Sequence, residues 1–182
     1  MDSVTDLPVQ AQDCPICRDT VDVPVDVMAA LAQMPQRLRE ALRTAPDREY
    51  DGWSPGFIAV HLADLEVSRG WRIRTILAEA DPPIGGVDVD AWAEQLSYGK
   101  RDFTLALETF TANRAANLEL LRLTGDAGLA RPYHHPELGA LTLGNLIEHT
   151  ADHDLAHLQQ IVGGKYPISA ETGVSLRLRC QR

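Results

Sequence analysis

Four stretches of this chain repeat apolar side chains at intervals of three and four residues, and no stretch sustains the alternation of a half-buried strand. The first runs from Val25 to Arg43, where Val27, Leu31, Met34, Leu38 and Leu42 keep the helical interval. Pro35 falls inside it and predicts a kink or a short break. The second opens on Ser54 as N-cap and Pro55 at the first helical position, where the missing N–H is not needed. It is predicted to run to Glu79 and to stop before Pro82. The third spans Lys100 to Leu123, with Phe103, Leu107, Phe110, Leu118 and Leu121 in register and Gly125 as its stop. The fourth runs from Leu143 to Val162, capped by Thr142 and closed by Gly163 and Gly164. Long amphipathic helices joined by loops bury their apolar stripes most economically against one another, so the predicted fold is all-α, a four-helix bundle.

The remaining segments read as connections. Residues 1–24 are polar, with Asp and Pro and no helical period, and are expected to form an irregular N-terminal lead-in. Residues 85–97 and "LARPYHHPELGA" (Leu129–Ala140) read as loops, and residues 166–182 as a C-terminal tail. The bundle domain is then residues 25–165. A chain of 182 residues suits one domain with a sizeable core. The formal net charge of −9 argues against a nucleic acid or an anionic membrane as partner, since both need a positive footprint. The group Arg177, Arg179 and Arg182 is too small to reverse that balance. No run approaches the roughly 18 apolar residues of a membrane span. Met1–Gln12 lacks the basic-then-apolar pattern of a signal peptide. Three cysteines, an odd count, fit a reducing compartment, so the expected location is the cytoplasm.

"EHTADHDLAHLQQI" (Glu148–Ile161) places His149, His153 and His157 one helical turn apart. On a helical wheel Leu143, Leu146, Ile147, Thr150 and Ile161 define the inner face. His157 lies within that face, His153 on its edge, and His149 further round toward solvent. Two imidazoles one turn apart want a third protein ligand to hold a metal. His61 supplies a candidate, since it shares a stripe with Phe57, Ile58, Leu62 and Leu65 on the second helix. Inward ligands from facing helices are how bundles build metal sites. The competing reading is three core histidines that merely find hydrogen-bond partners. Burying three imidazoles without a common partner would be costly, which favours a metal. Asp154, on the inner face, could accept an N–H from a ligand histidine or form an ion pair with an arginine. Asp64 and Glu66 could serve similarly, and Gln160 could orient a bound water or substrate. Arg69, Arg72 and Arg74 are expected on a solvated face.

"WSPGFIAVHLADLE" (Trp53–Glu66) and "HPELGALTLGNLIEHTADHDLAHLQQI" (His135–Ile161) together resemble the DinB/YfiT superfamily. The resemblance covers Val25 to Val162. It rests on the W-S-P start, a histidine on the second helix, the G-x-x-T lead into the last helix, and H-x-x-x-H-x-x-Q-I. It implies a four-helix bundle, usually a homodimer, with a divalent metal on His61, His153 and His157. Members with known activity include mycothiol-dependent maleylpyruvate isomerase and bacillithiol-type S-transferases, in which the metal activates a low-molecular-weight thiol. Three nitrogen ligands leave an open position for a water or thiol, and they suit zinc, nickel or iron(II).

The leading expectation is therefore a metal-dependent thiol S-transferase acting on a small-molecule electrophile, with Asp154 or Gln160 assisting. A metal-dependent hydrolase and a non-enzymatic metal-binding scaffold are the alternatives. "DCPICRD" adds a C-x-x-C at Cys14 and Cys17, half of a zinc knuckle or a dithiol pair. No second C-x-x-C exists, the remaining cysteine is Cys180, and ordinary thiols are expected. His134 and His135 are expected to be loop residues that could meet those cysteines in space.

Overall fold

A computed structural model describes residues 6–45, 49 and 52–163. Cys180, the cluster Arg177, Arg179 and Arg182, Gly164 and the tail 166–182 lie outside the described residues. Four long helices form: α1 (Val27–Thr44), α2 (Pro55–Ala78), α4 (Phe103–Leu129) and α5 (Leu143–Ile161), with a short α3 (Val89–Gln95) between α2 and α4. The caps act as the sequence predicts. The Ser54 hydroxyl accepts from the Phe57 N–H at 3.2 Å, and Thr142 forms a reciprocal capping box with Asn145.

Pro35 does not break α1, which continues through it. Proline removes the N–H that the carbonyl four residues earlier would accept. That carbonyl belongs to Leu31, and the Arg114 side chain donates to it from α4 at 3.2 Å. A side chain from a neighbouring helix thus replaces the lost bond. In α4, Gly125 takes φ 55° and ψ −151°, so the helix breaks there as expected and resumes for one further turn.

Three connections expected to be irregular are ordered, one of them the loop 85–97, which holds α3. The N-terminal lead-in forms a hairpin of β1 (Val9–Asp13) and β2 (Thr20–Pro24), paired antiparallel from Val9↔Pro24 to Asp13↔Thr20. The expected loop before α5 contains β3 (Pro132–His135) and β4 (Gly139–Thr142), also antiparallel. These strands are too short to display a sustained period of two, but Val21 and Val23 are buried on one face of β2.

α2 packs along α4, and α1 packs on both α4 and α5. Two apolar clusters fill the bundle. One joins Val21, Val23, Leu31, Ile73, Leu118, Leu121, Leu143 and Leu146. The other joins Met34, Leu38, Trp53, Ile58, Leu62, Tyr98, Phe110 and Leu158. The order of these residues along each helix sets the topology: α2 and α4 run the same way, and α1 and α5 run the opposite way. Parallel neighbours need a crossover, and residues 79–102 supply it, from Ile84 in the first cluster to Tyr98 in the second. Glu66, Arg69, Arg114, Asn117 and Asp154, all buried, form a polar layer between the two clusters.

Candidate metal centre

His61 on α2 and His153 and His157 on α5 converge beside this polar layer. Their candidate ligand atoms lie within 4.8 Å of one another, and the rings are 0%, 3% and 1% exposed. His61 Nε2 and His153 Nε2 are 3.4 Å apart. The ring centroid of His157 is 4.9 Å from that of His61 and 4.5 Å from that of His153. The wheels predict this trio, and the structure brings it together. Two aromatic side chains that sequence reasoning gives no role at the site complete its wall. Trp53 stacks on His157 at 5.7 Å and 2° and meets His61 edge-on at 4.8 Å, and Tyr98 closes the side beyond His61. Their signal was only the W-S-P start and one aromatic in a predicted loop.

The electrostatics keep these rings neutral. Burial, then repulsion from His157 and His153, pushes His61 well below the usual imidazole range. Burial does the same to His153, with His157 adding to it. His157 falls to about 4 through burial, partly offset by its bond to Gln160. A neutral imidazole has a free lone pair, which is what a metal ligand needs. Gln160 Oε1 accepts from His157 Nδ1 at 2.8 Å, which leaves Nε2 as the lone-pair nitrogen. Arg69 donates to His153 Nδ1 at 3.0 Å, so the neutral His153 ring carries its proton on Nε2, facing His61. Ligation through His153 Nε2 would require that proton to move to Nδ1. Asp154 Oδ1, 3.7 Å from Nδ1, is the carboxylate within reach. His61 Nδ1 is buried and has no hydrogen-bond partner among the described residues. The donor set, its burial and its neutrality fit a divalent ion.

The supporting residues are placed more firmly than the sequence allows. Asp154 accepts from Arg69 at 3.1 Å and from Arg114 at 2.7 Å. Glu66 accepts twice from Arg114, at 2.9 and 2.7 Å, and once from Asn117 at 2.8 Å. Asp64 pairs instead with Arg101 at 2.5 Å. Arg69, expected on a solvated face, is buried, because the Asp154 carboxylate draws its guanidinium inward.

His149, expected toward solvent, is 7% exposed. The β1–β2 hairpin covers that side of α5, and Cys14 Sγ lies 3.6 Å from His149 Nδ1. Cys14, Cys17 and His149 form a second cluster, with candidate ligand atoms again within 4.8 Å of one another. His134 and His135 do not join it. His134 is exposed, while buried His135 accepts at Nδ1 from the Glu137 and Leu138 N–H groups at 3.2 and 3.3 Å.

An open cleft of ≈ 300 Å³ is lined by Gly86, Val87, Asp88, His135 and Glu137. Val87 also lines a smaller cavity of ≈ 20 Å³ that ends on His149 and His153, with room for about one water.

The family model described as the DinB superfamily matches residues 30–161. A protein of Oceanobacillus iheyensis, OB0782, provisionally named a metal-dependent hydrolase, is 29% identical over 110 residues, 60% of this chain. The match spans 63% of that relative, a little under two thirds of its length. YfiT of Bacillus subtilis, with the same provisional name, is 25% identical over 142 residues, covering 72% of this chain and 79% of that one. A solved structure of YfiT, described as a probable metal-dependent hydrolase with an unusual four-helix bundle topology, superposes with a TM-score of 0.68 at 25% identity. It covers 75% of this chain and 82% of the other.

Proposed function

The chain belongs to the DinB superfamily, and on that premise we propose that it is a metal-dependent hydrolase of a small molecule, acting as a homodimer in the cytoplasm. The convergence of three buried, neutral imidazoles from two helices carries this reading. A divalent ion held by His61, His153 and His157 would supply Lewis acidity and lower the pKa of water in its open position. Zinc, nickel and iron(II) all suit the donor set.

The chain's own residues prepare that chemistry. Gln160 holds the His157 proton on Nδ1, and Arg69, itself held by Asp154, orients His153. Trp53 and Tyr98 exclude bulk water from one side. The cleft beside Val87 has the size of a small-molecule site. Asp154 and Gln160 are positioning residues in this account, since both are bound to protein partners and buried. The names of the relatives point to water as the nucleophile rather than to a low-molecular-weight thiol such as mycothiol. Cys14 and Cys17, both free, fit the reducing compartment. Among the described residues no helix is long and apolar enough to cross a membrane.

The test is a panel of small esters, lactones and amides, assayed on zinc-, nickel- and iron-loaded protein with and without added thiol. Hydrolysis that chelator and His153→Ala each abolish is expected. Turnover that appears only with thiol would replace hydrolysis by thiol transfer. No turnover across the panel, with metal bound, would favour the scaffold reading.

A further inference from the structure

The proposed hydrolytic site leaves Cys14 and Cys17 unused, although the structure brings both to a third side chain of matching chemistry. They flank the turn of the N-terminal hairpin. The Cys14 N–H donates to the Asp19 carbonyl at 2.9 Å, the Arg18 N–H donates to the Cys14 carbonyl at 2.8 Å, and Arg18 takes φ 60°. This tight turn gathers both sulfurs around His149, one helical turn before His153 on α5. The three are 5%, 8% and 7% exposed. We propose that Cys14, Cys17 and His149 form a second metal site, for a zinc-class divalent ion, which fastens the N-terminal hairpin to α5.

Two sulfurs from a C-x-x-C turn and one imidazole from a distant element are three of the four ligands that a tetrahedral zinc site uses. Thiolate donors select zinc-class ions more sharply than the all-nitrogen set of the first site. A metal would add a second fastening to the apolar one that Val21 and Val23 already supply. A two-stranded ribbon of five-residue strands is marginal by itself and depends on what it packs against. Binding replaces the thiol protons, which leave to solvent, and involves no change of oxidation state. The proposal is independent of the hydrolytic reading, since the two clusters share no residue. The ring centroids of His149 and His153 are 6.4 Å apart.

Cobalt(II) separates the two sites, because cobalt on thiolate gives a near-ultraviolet charge-transfer absorption that cobalt on imidazole does not. The full-length His61→Ala protein, with the first site disabled, is expected to show that absorption when reduced and loaded with cobalt. Zinc should displace it, and Cys14→Ser or His149→Ala in the same background should remove it. A variant that fails to fold is replaced by a measurement on the unaltered chain. There, zinc should protect two of the three thiols from an aromatic disulfide reagent, and chelator should expose them. Three outcomes would overturn the site: no charge-transfer absorption from reduced protein, an absorption that survives Cys14→Ser, or equal thiol reactivity with and without zinc. Loss of metal in His61→Ala and His153→Ala tests the hydrolytic site separately, so failure of one leaves the other readable.

Discussion

Asp154 has no solvent exposure and holds a guanidinium group on each oxygen, Arg69 at 3.1 Å and Arg114 at 2.7 Å. Burial alone would raise its pKa, but the Arg114 and Arg69 charges overcome that and hold the carboxyl well below the usual range. Removing one partner from a buried ion pair leaves uncompensated charge, so Asp154→Asn is expected to cost about 3–5 kcal/mol in denaturant unfolding. A depressed folded-state pKa contributes stability that is present above the unfolded value of about 3.9 and is lost as pH falls below it. The stability gap between wild type and Asp154→Asn should therefore narrow below about pH 4. The histidines act over a higher window. Their lowered pKa values mean that the unfolded chain binds protons first. Chelator-treated protein should lose stability as pH falls from about 6.5 toward the His157 value, and His157→Gln should flatten that slope in pH-dependent thermal melts.

At the scale of elements, α2 and α4 approach closely at Gly70. A Cβ there would lie 2.8 Å from Asn117 Oδ1 and 3.1 Å from Arg74 Nη1, in a hydrogen-bonded group that also holds Glu66. Gly70→Ala is expected to destabilise by about 1–3 kcal/mol despite its better helix propensity, as a chemical melt would show. The four long helices were legible because their signals are local: Ser54–Pro55, Thr142 and the apolar intervals need no partner to be read. The three inward-facing histidines His61, His153 and His157 were legible for the same reason, since two wheels suffice. What escaped depends on partners distant in sequence. The two hairpins have strands of only four or five residues, and α3 has seven, too short for periodicity to declare itself. A wheel of α5 turned His149 toward solvent because it could not see the hairpin that covers it. Arg69 read as a surface residue until Asp154, 85 residues away, supplied its charge partner. Pro35 read as a break until Arg114 capped the freed carbonyl.

At the scale of the whole molecule, a buried polar layer divides the bundle into two apolar clusters. The His61–His153–His157 cluster adjoins this layer, where the Arg69 guanidinium, held by the Asp154 carboxylate, fixes the His153 ring. The proposed homodimer has a visible candidate surface in Val67 and Trp71. They lie one turn apart on α2 and are 50% and 58% exposed. Sedimentation should give a dimer for wild type and a shift toward monomer for Trp71→Glu; a wild-type monomer would remove that part of the proposal. The central claim is that the three buried histidines bind a metal. Its most direct test is the metal content of protein purified without chelator or affinity nickel, with His61→Ala, His153→Ala and Cys14→Ser purified alongside. The account predicts that each histidine variant loses about one equivalent per chain while Cys14→Ser retains that equivalent. Histidine variants with the same metal content as wild type, or a wild-type chain that takes up no zinc, nickel or iron(II), would contradict it.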